Sequence, residues 1–535
     1  MRSILAFNLI LFLSFGSFSQ VQVSDDFSYT VSNPYKVVDG MKSYFSRDGE
    51  VLSVKYGRGV FTFQKFSGEN MNEVERKEVE KTTGFTAESF EQIGDQFYFF
   101  FSVWDKAAGK EQLFAREIDF DNCTFVDEGR LLFKVDGKVT GGFGFGAFLI
   151  GAQAGSGKFH FTKSFDQTKL IVQYRKKPLE RNDAINKDVI GMHVYGPDME
   201  EVWSKDVEMP YTEKKMNNLG YSIDSRGNTY VLAEVFKDET TKRKTKDGKP
   251  NYRLELLRID GEDQSLETSE IEFGDKFITD VGFFEGATGE MLLAGYYGNE
   301  FGKGTDGMFM SRISEDGTVE EKVYYEIPVD VMKLYMSERK QERMERNDGT
   351  KDYSMKNMVL RELVFDTDGS ITMYGERYYY TTRRNPKTGQ VTYTYYYQEI
   401  LVGRINGDGE LAWMNKLPKN QVGSAGRGGM GYYVMPGAEE DYVLFLDNVN
   451  NIELPMTKYP KAHRDGAGGF LTGFKIDDET GDVLKVSLFD TKDAKGITLY
   501  QFNTGRITKI DDQKFVVECY KKKKEDVMVT VTLSN

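Results

Sequence analysis

The sequence predicts an all-β protein: a single β-propeller of about eight four-stranded blades, with seven blades as the alternative. Three observations predict it. A four-strand unit recurs along the chain, its strands alternate apolar and polar residues between Asp/Gly turns, and the last unit lacks a strand that the amino-terminal segment can supply.

The clearest unit starts at Met358. MVLRELVF leads into a turn at Asp366 to Gly369, SITMYGERYYY follows, and TYTYYYQEILVGRI ends in a turn at Asn406 to Gly409 before ELAWMNKLP. A period of two is what half-buried antiparallel strands require, and Asp and Gly supply the side-chain hydrogen bonds and positive φ of tight turns. The same order returns from NLGYSI, from ITDVGFF and from GYYVMPG, and in weaker form from SRDGEVLSV, QFYFFFSVW and KFHFTKSF. Trp203 and Trp413 fall in matching fourth strands, each followed by lysine and proline. The final unit offers ITLYQFNTGRITKI, DQKFVVECY and DVMVTVTLSN, three strands only, while DFSYTVSNP near the start reads as an orphan fourth. Pairing the first strand with the last unit closes the ring and removes an aggregation-prone edge.

Composition agrees. Gly 54, Phe 39 and Tyr 31 stand against Pro 11, the usage of short strands joined by tight turns. Arg2, the apolar run from Ile4 to Phe15 and the small residues Ser17 and Ser19 read as a signal peptide over 1–19. The expected domain is therefore 20–535, exported to a periplasm or outside the cell. No later apolar run reaches about 18 residues, so no membrane-spanning segment is expected. Cys123 and Cys519 fall in blades that do not touch and are expected to be free. The net charge of -14 argues against nucleic acid as a partner.

Chemical motifs are sparse. His160, His193 and His463 are the only histidines, and no His-Glu-x-x-His, Cys-x-x-Cys or Gly-x-Ser-x-Gly pattern occurs. AGSGKF at Ala154 to Phe159 has Ala152 where a phosphate loop has its first glycine, Phe159 where it has Ser or Thr, and no helix after it. The Asp/Gly turns lack the spacing of a calcium loop. No catalytic residue, metal or cofactor is expected. Two facing carboxylates would leave no linear signature, so a polysaccharide hydrolase or lyase with acids at the channel mouth stands as the alternative to a binding protein.

The charge pattern suggests a functional face. In a propeller the second-to-third and blade-to-blade connectors share one face, here expected to be long, and long loops on a rigid scaffold commonly bind. These connectors collect cations: Arg175, Lys176, Lys177, Arg181 and Lys187, then Lys237, Lys242, Arg243, Lys244, Lys246 and Lys249, then Lys458, Lys461 and Arg464, and last Lys521 to Lys524. The opposite turns carry Asp48, Asp95, Asp166, Asp224, Asp260, Asp316, Asp408 and Asp478. Lysines that merely blunt hairpin tips explain part of this. The sharper reading is a face for an anionic polysaccharide or an acidic envelope protein. It assigns partner binding to Lys176, Lys177, Lys242, Arg243, Lys244, Lys246, Lys522 and Lys523, with Tyr380, Arg383, Arg384, Tyr393 and Tyr395 on a long hairpin turning at Asn385 to Gly389. Val329 to Arg346 is expected to be a short helix on the same face, and Gly141 to Gly157 a connector at the channel entrance.

The turn-and-strand order resembles that of bacterial cell-envelope β-propellers. Asp477 to Leu488 (DDETGDVLKVSL) and Asn406 to Trp413 (NGDGELAW) resemble blades of quinoprotein-type propellers, with a glycine turn before a fourth strand. That resemblance implies the propeller ring. The repeated tryptophan and the adjacent cysteine pair of that family are missing, so no quinone is expected.

Overall fold

Eight antiparallel sheets follow one another along the chain. The computed structural model describes residues 24–534 apart from 80–83, 141–156, 179–182, 287–288, 337, 340, 343–353, 425–429, 438 and 465–467. The proposed signal segment, Arg181 and nearly all of the Gly141 to Gly157 connector lie outside the described residues.

Blade 1 begins with Met41–Arg47, blade 2 with Thr86–Ile93, blade 3 with Phe159–Lys163 and blade 4 with Met216–Ile223. Blades 5 to 8 begin with Phe277–Glu285, Met358–Phe365, Tyr433–Pro436 and Ile507–Asp511. Many of these first strands touch their counterparts in neighbouring blades, which places them on the axis, with the fourth strands outermost. The core is a ring of apolar layers between blades. In one, Leu292, Tyr296 and Met308 of blade 5 meet Leu360, Met373 and Leu401 of blade 6. Each tryptophan donates to a turn of the next blade, Trp203 to the Gly227 carbonyl in the first turn of blade 4 at 3.0 Å and Trp413 to Asp478 O in the last turn of blade 7 at 2.9 Å.

Closure is the expected one. Phe27–Val31 lies antiparallel to Glu525–Leu533, with Phe27 opposite Leu533 and Val31 opposite Val529. Tyr35 and Lys36 prolong the contact against Asp526 and Glu525. Beneath this seam lies a buried charge network. Glu518 of blade 8 accepts from Lys55 of blade 1, from Lys42 at 2.5 Å, and from the hydroxyls of Tyr44 at 2.7 Å and Tyr35 at 3.0 Å. Burial pushes the Glu518 carboxyl up, but the two ammonium groups overcome it and hold it well below the usual carboxylate range. Burial also lowers Lys55 to about 8.

Three expectations need correction. The second-to-third connectors are not uniformly long: blade 1 turns on Arg58 and Gly59 alone, and blade 8 on Lys521 to Lys524, because a hairpin needs only two to four residues when strand twist and turn match. Blade 2 has no single fourth strand, since Thr124–Phe125 and Arg130–Asp136 share the edge of Lys110–Asp119. The helix expected over Val329 to Arg346 has its first segment only at Val329–Lys333. It breaks where Leu334 turns extended and Tyr335 takes φ 64°. Val331 and Met332 are drawn into the core, and Lys416 donates to the Met332 carbonyl, so the segment packs onto blade 6. Cys123 and Cys519 are free and buried.

The network predicts the behaviour of one substitution. Lys55→Met leaves Glu518 buried with only part of its compensation, so global stability should fall by about 3–5 kcal/mol in denaturant unfolding. A loss below about 1 kcal/mol would show that the network contributes little to closure.

Candidate functional site

The inner strands are not regular. Those of blades 2, 4, 5, 6 and 8 each skip one residue in their pairing with the second strand, at Glu88, Leu219, Thr279, Arg361 and Ile510. A bulge adds an unpaired residue and re-aims the side chains that follow. The first four occur in the half of the strand nearer the loop-bearing face, and the fifth, at Ile510, lies next to the first turn of blade 8.

Below the same face runs a belt of buried polar groups. Seven of the eight second strands carry one near their end: Lys55, Ser102, Gln173, Glu234, Glu376, Asp447 and Glu518. Most find a nearby partner, as buried polar atoms must. Ser102 donates to Glu88 at 2.5 Å, and Asn217 donates to Glu234 at 3.0 Å. Glu376 takes Arg361 at 2.8 Å and Lys419 at 2.6 Å.

Blade 5 is the exception. Its equivalent stretch is Gly295-Tyr296, and the fully buried Tyr296 hydroxyl has no hydrogen-bond partner. Tyr296 stands opposite Asp280 in the ladder. The Asp280 carboxylate accepts from Leu360 N of blade 6 at 2.7 Å, and the Tyr296 hydroxyl abuts Gly375, the ladder partner of Leu360. Burial pushes the Asp280 carboxyl up to about 6. Two residues beyond Leu360, Glu362 is solvent-exposed, yet desolvation by the surrounding blades, with help from Asp441, pushes its carboxyl up to about 7. Tyr432, entering blade 7, has a second unpartnered hydroxyl, and its phenol feels Glu376, Glu362, Arg361 and Tyr296.

The far end of the channel is bridged. Glu285 of blade 5 accepts from Phe165 N of blade 3 at 2.5 Å and from Ser225 N of blade 4 at 2.8 Å. Phe165 thereby reaches Phe365 of blade 6, with ring centroids 6.2 Å apart. This cross-tie leaves the loop face as the natural entrance.

The most prominent feature on that face is the hairpin of blade 6. Ile371–Arg384 and Val391–Ile405 pair from Ile371 opposite Ile405 out to Arg384 opposite Val391, around the expected turn. Beyond Arg377 the first arm has lost its inner neighbour, and Gln421–Gly423 covers the second arm only at Tyr395 to Tyr397. The four pairs from Thr381 opposite Thr394 to Arg384 opposite Val391 thus project freely, about 13 Å at the rise of a strand. Tyr379 and Tyr396 stack at 4.5 Å on one side. Tyr378, Tyr380, Tyr393, Tyr395 and Tyr397 form a ladder on the other. The root is held by cations over rings, Arg361 at 5.1 Å from Tyr378 and Lys419 at 5.8 Å from Tyr397. Toward the tip Tyr380 is 56% and Tyr393 48% exposed. Arg383 and Arg384 are exposed beside them.

The other residues assigned to partner binding are spread around the face, on blades 3, 4 and 8. Lys177, Lys242, Lys244, Lys246 and Lys523 are exposed. Lys176 forms an ion pair with Asp206 at 2.5 Å, and Lys522 lies 4.1 Å over the Tyr500 ring. Arg243 is a strut rather than a free cation: it reaches Glu234 at 2.8 Å, donates to the Ile278 carbonyl at 3.0 Å, and covers Tyr252 at 4.7 Å. Lys522, Lys523 and Lys524 all have positive φ, an uncommon run for residues with a Cβ.

The histidines make no catalytic arrangement with these groups. His193 contacts Glu201 at 2.9 Å and stacks on Phe133, while His160 contacts Gln173 and Thr162. Among the described residues no cluster of His, Cys, Asp and Glu could hold a metal ion, and no helix is long and apolar enough to cross a membrane. The reading from sequence did not single out Asp280, Tyr296, Glu362 or Tyr432. Its available signal was an acid inside an otherwise apolar inner strand, as in ITDVGFF and MVLRELVF.

No protein-family model matches the chain, and no curated protein matches it. Solved structures similar to it include the polysaccharide lyase Uly1, at 10% identity over 96% of this chain and 94% of that one, TM-score 0.38. The Dos1 propeller is 9% identical over 95% of each chain, TM-score 0.40. The WD40 domain of SCAP from fission yeast is 7% identical over 95% of each, TM-score 0.37. The fold class, an eight-bladed β-propeller, is established by the strand pairing described above, and nothing about the site follows from these similarities.

The wall acids make stability depend on pH. Asp441 is buried, accepts from the Tyr374 hydroxyl, and is pushed up to about 7 by desolvation. The folded form therefore holds the proton more tightly than the unfolded chain, so a contribution fully present below pH ~4 is lost progressively as pH rises from ~4 to about 7. The Tm advantage of Asp441→Asn over wild type should be smallest near pH 4 and grow to its full size by pH 8. A variant less stable than wild type at pH 8 would contradict the assignment.

Proposed function

We propose that the protein is a binding or scaffold propeller that engages an anionic partner, an acidic polysaccharide or an acidic envelope protein, through its loop-bearing face. The observation that carries this reading is the blade 6 arm. From Arg377 to Gln398 its charged residues are Arg377, Arg383, Arg384 and Lys387, with no acid among them, in a chain of net charge -14. Exposed tyrosines beside arginines offer ring faces for sugars and hot-spot contacts for proteins, and cations on a projecting tip meet an anion before the acidic body does. Lys242, Lys244 and Lys246 on blade 4 and Lys523 on blade 8 extend the positive rim. An export signal over 1–19, part of this proposal, would bring the face to envelope polysaccharides.

A second reading is a polysaccharide hydrolase or lyase. It is favoured by Glu362, an exposed channel acid whose carboxyl titrates near neutrality, as a general acid should. Assay of oligosaccharide release separates it from binding.

Replacing Thr381 to Val391 by a two-residue turn should leave stability within about 1 kcal/mol, since the removed side chains are exposed. Retention on an immobilised acidic polysaccharide at low salt should fall at least about tenfold. The triple charge reversal Lys242→Glu, Lys244→Glu and Lys246→Glu should weaken it further. Unchanged retention in both variants, or none by wild type, would overturn the reading.

A further inference from the structure

Each blade ends in an edge strand, and the ring blunts most of these edges. Among the described residues the fourth strands of blades 1, 3, 6 and 7 join their neighbours through a bulge. Those of blades 4 and 5, Leu266–Ile271 and Val323–Glu326, are short and carry acids, and that of blade 8 is the short Phe27–Val31. Bulges, shortness and charge keep an edge from pairing with another chain. The first arm of the blade 6 hairpin is built otherwise. From Tyr378 opposite Tyr397 to Arg384 opposite Val391 its pairing runs without a register shift. Its sequence there, YYYTTRR, has no proline and no acid, and tyrosine and threonine favour extended backbone.

One hydrogen bond shows which way its main chain is turned. The Tyr378 amide donates to the Asn357 carbonyl at 2.9 Å, on the side away from the second arm. This direction alternates along an antiparallel pair. The amides and carbonyls of Tyr380, Thr382 and Arg384 therefore turn to that same side, where no described strand meets them. Tyr380 to Arg384 are exposed, so the row is open to solvent. Side chains alternate too: Tyr378, Tyr380, Thr382 and Arg384 face one way, and Tyr379, Thr381 and Arg383 the other. A strand laid along this edge meets tyrosines near the root and a guanidinium on each face toward the tip.

The chemistry of the edge selects its occupant. A second copy of the chain would bring the same cations and no acid, since Arg377 to Gln398 holds none. A polysaccharide answers the charges but has no alternating amide donors and acceptors to match the main chain. An extended acidic polypeptide answers both. We propose that the open edge from Tyr380 to Arg384 receives an added β-strand from a partner protein, an extended segment alternating apolar and acidic residues. This rests on the anionic-partner reading above and narrows it to protein. Main-chain hydrogen bonds supply the affinity, and acids beside Arg383 and Arg384 select the partner.

The test uses the full chain and a fluorescent peptide of about twelve residues alternating valine and glutamate, with its glutamine-for-glutamate counterpart and an immobilised acidic polysaccharide beside it. Thr382→Pro removes one outward N–H while the hairpin keeps its own bonds, as proline allows on an edge; Thr382→Ala controls for the side chain. Wild type should bind the glutamate peptide more tightly than the glutamine one. Thr382→Pro should weaken that binding at least about tenfold and leave polysaccharide retention unchanged, and Thr382→Ala should bind as wild type does. Arg383→Gln/Arg384→Gln should weaken both. In the wild-type complex the amides of Tyr380, Thr382 and Arg384 should gain protection from hydrogen exchange. Absence of that protection would overturn the proposal whatever the variants do. So would equal peptide binding by Thr382→Pro, no binding by wild type up to about 1 mM, or a wild type that is dimeric alone and made monomeric by Thr382→Pro, which would give the edge to a second copy. Peptide binding indifferent to Thr382→Pro but lost on arm deletion would fail strand addition alone; full retention of peptide and polysaccharide after arm deletion would fail the anionic-partner reading of the arm as well.

Discussion

Everything in this molecule depends on one strand pairing. Phe27–Val31 completes the sheet of Glu525–Leu533, so the two ends of a 535-residue chain are hydrogen-bonded side by side. Without that strand, blade 8 would expose an edge and blade 1 would lose the partner for its buried cations. The network around Glu518 makes the junction specific. A slipped register would strand Lys42, Lys55 and Glu518 in the interior without one another, at a cost of several kcal/mol.

Closure also gives the molecule two unlike ends. Tight Asp/Gly turns occupy one, where Glu285 ties the turns of blades 3 and 4 together and Phe165 reaches across to Phe365. The other end carries the arm, the lysine-bearing tips and the bulged halves of the inner strands. Rigid layers between the blades fix both, so the arm's root is set by Arg361, Glu376 and Lys419 rather than by the arm itself. The remaining lysines act from other parts of the rim.

Much of the architecture was legible because it is periodic. Alternation and Asp/Gly turns locate the strands of most blades, the shortfall of one strand at the end locates the closure, and Trp203 and Trp413 mark equivalent places because each donates to a turn in the next blade. The arm was legible for the same reason, as a long alternating run around Asn385 to Gly389. What escaped depends on context. A bulge is a one-residue change in pairing that leaves alternation locally ambiguous, so Thr279 and Arg361 gave no sign of it. Arg243 looked like its neighbours Lys242 and Lys244, but tertiary placement beside Glu234 and Tyr252 consumed its charge. The helix after Pro328 has the right composition, yet packing of Val331 and Met332 and the extended Leu334 end its first segment early. Asp280, Tyr296, Glu362 and Tyr432 come from three successive blades, and packing between blades rather than any local pattern sets their surroundings.

The most direct test of this account is a crosslink across the closure seam. Ser28 and Thr532 are ladder partners, and facing strand positions lie within the span of a disulfide. In Ser28→Cys/Thr532→Cys, oxidation should join the two ends within one chain, giving a species of altered mobility in denaturing gels and a Tm above that of the reduced form. Failure to crosslink while folded, or crosslinking only between chains, would mean that the first strand lies elsewhere, and the ring with its two faces would fall.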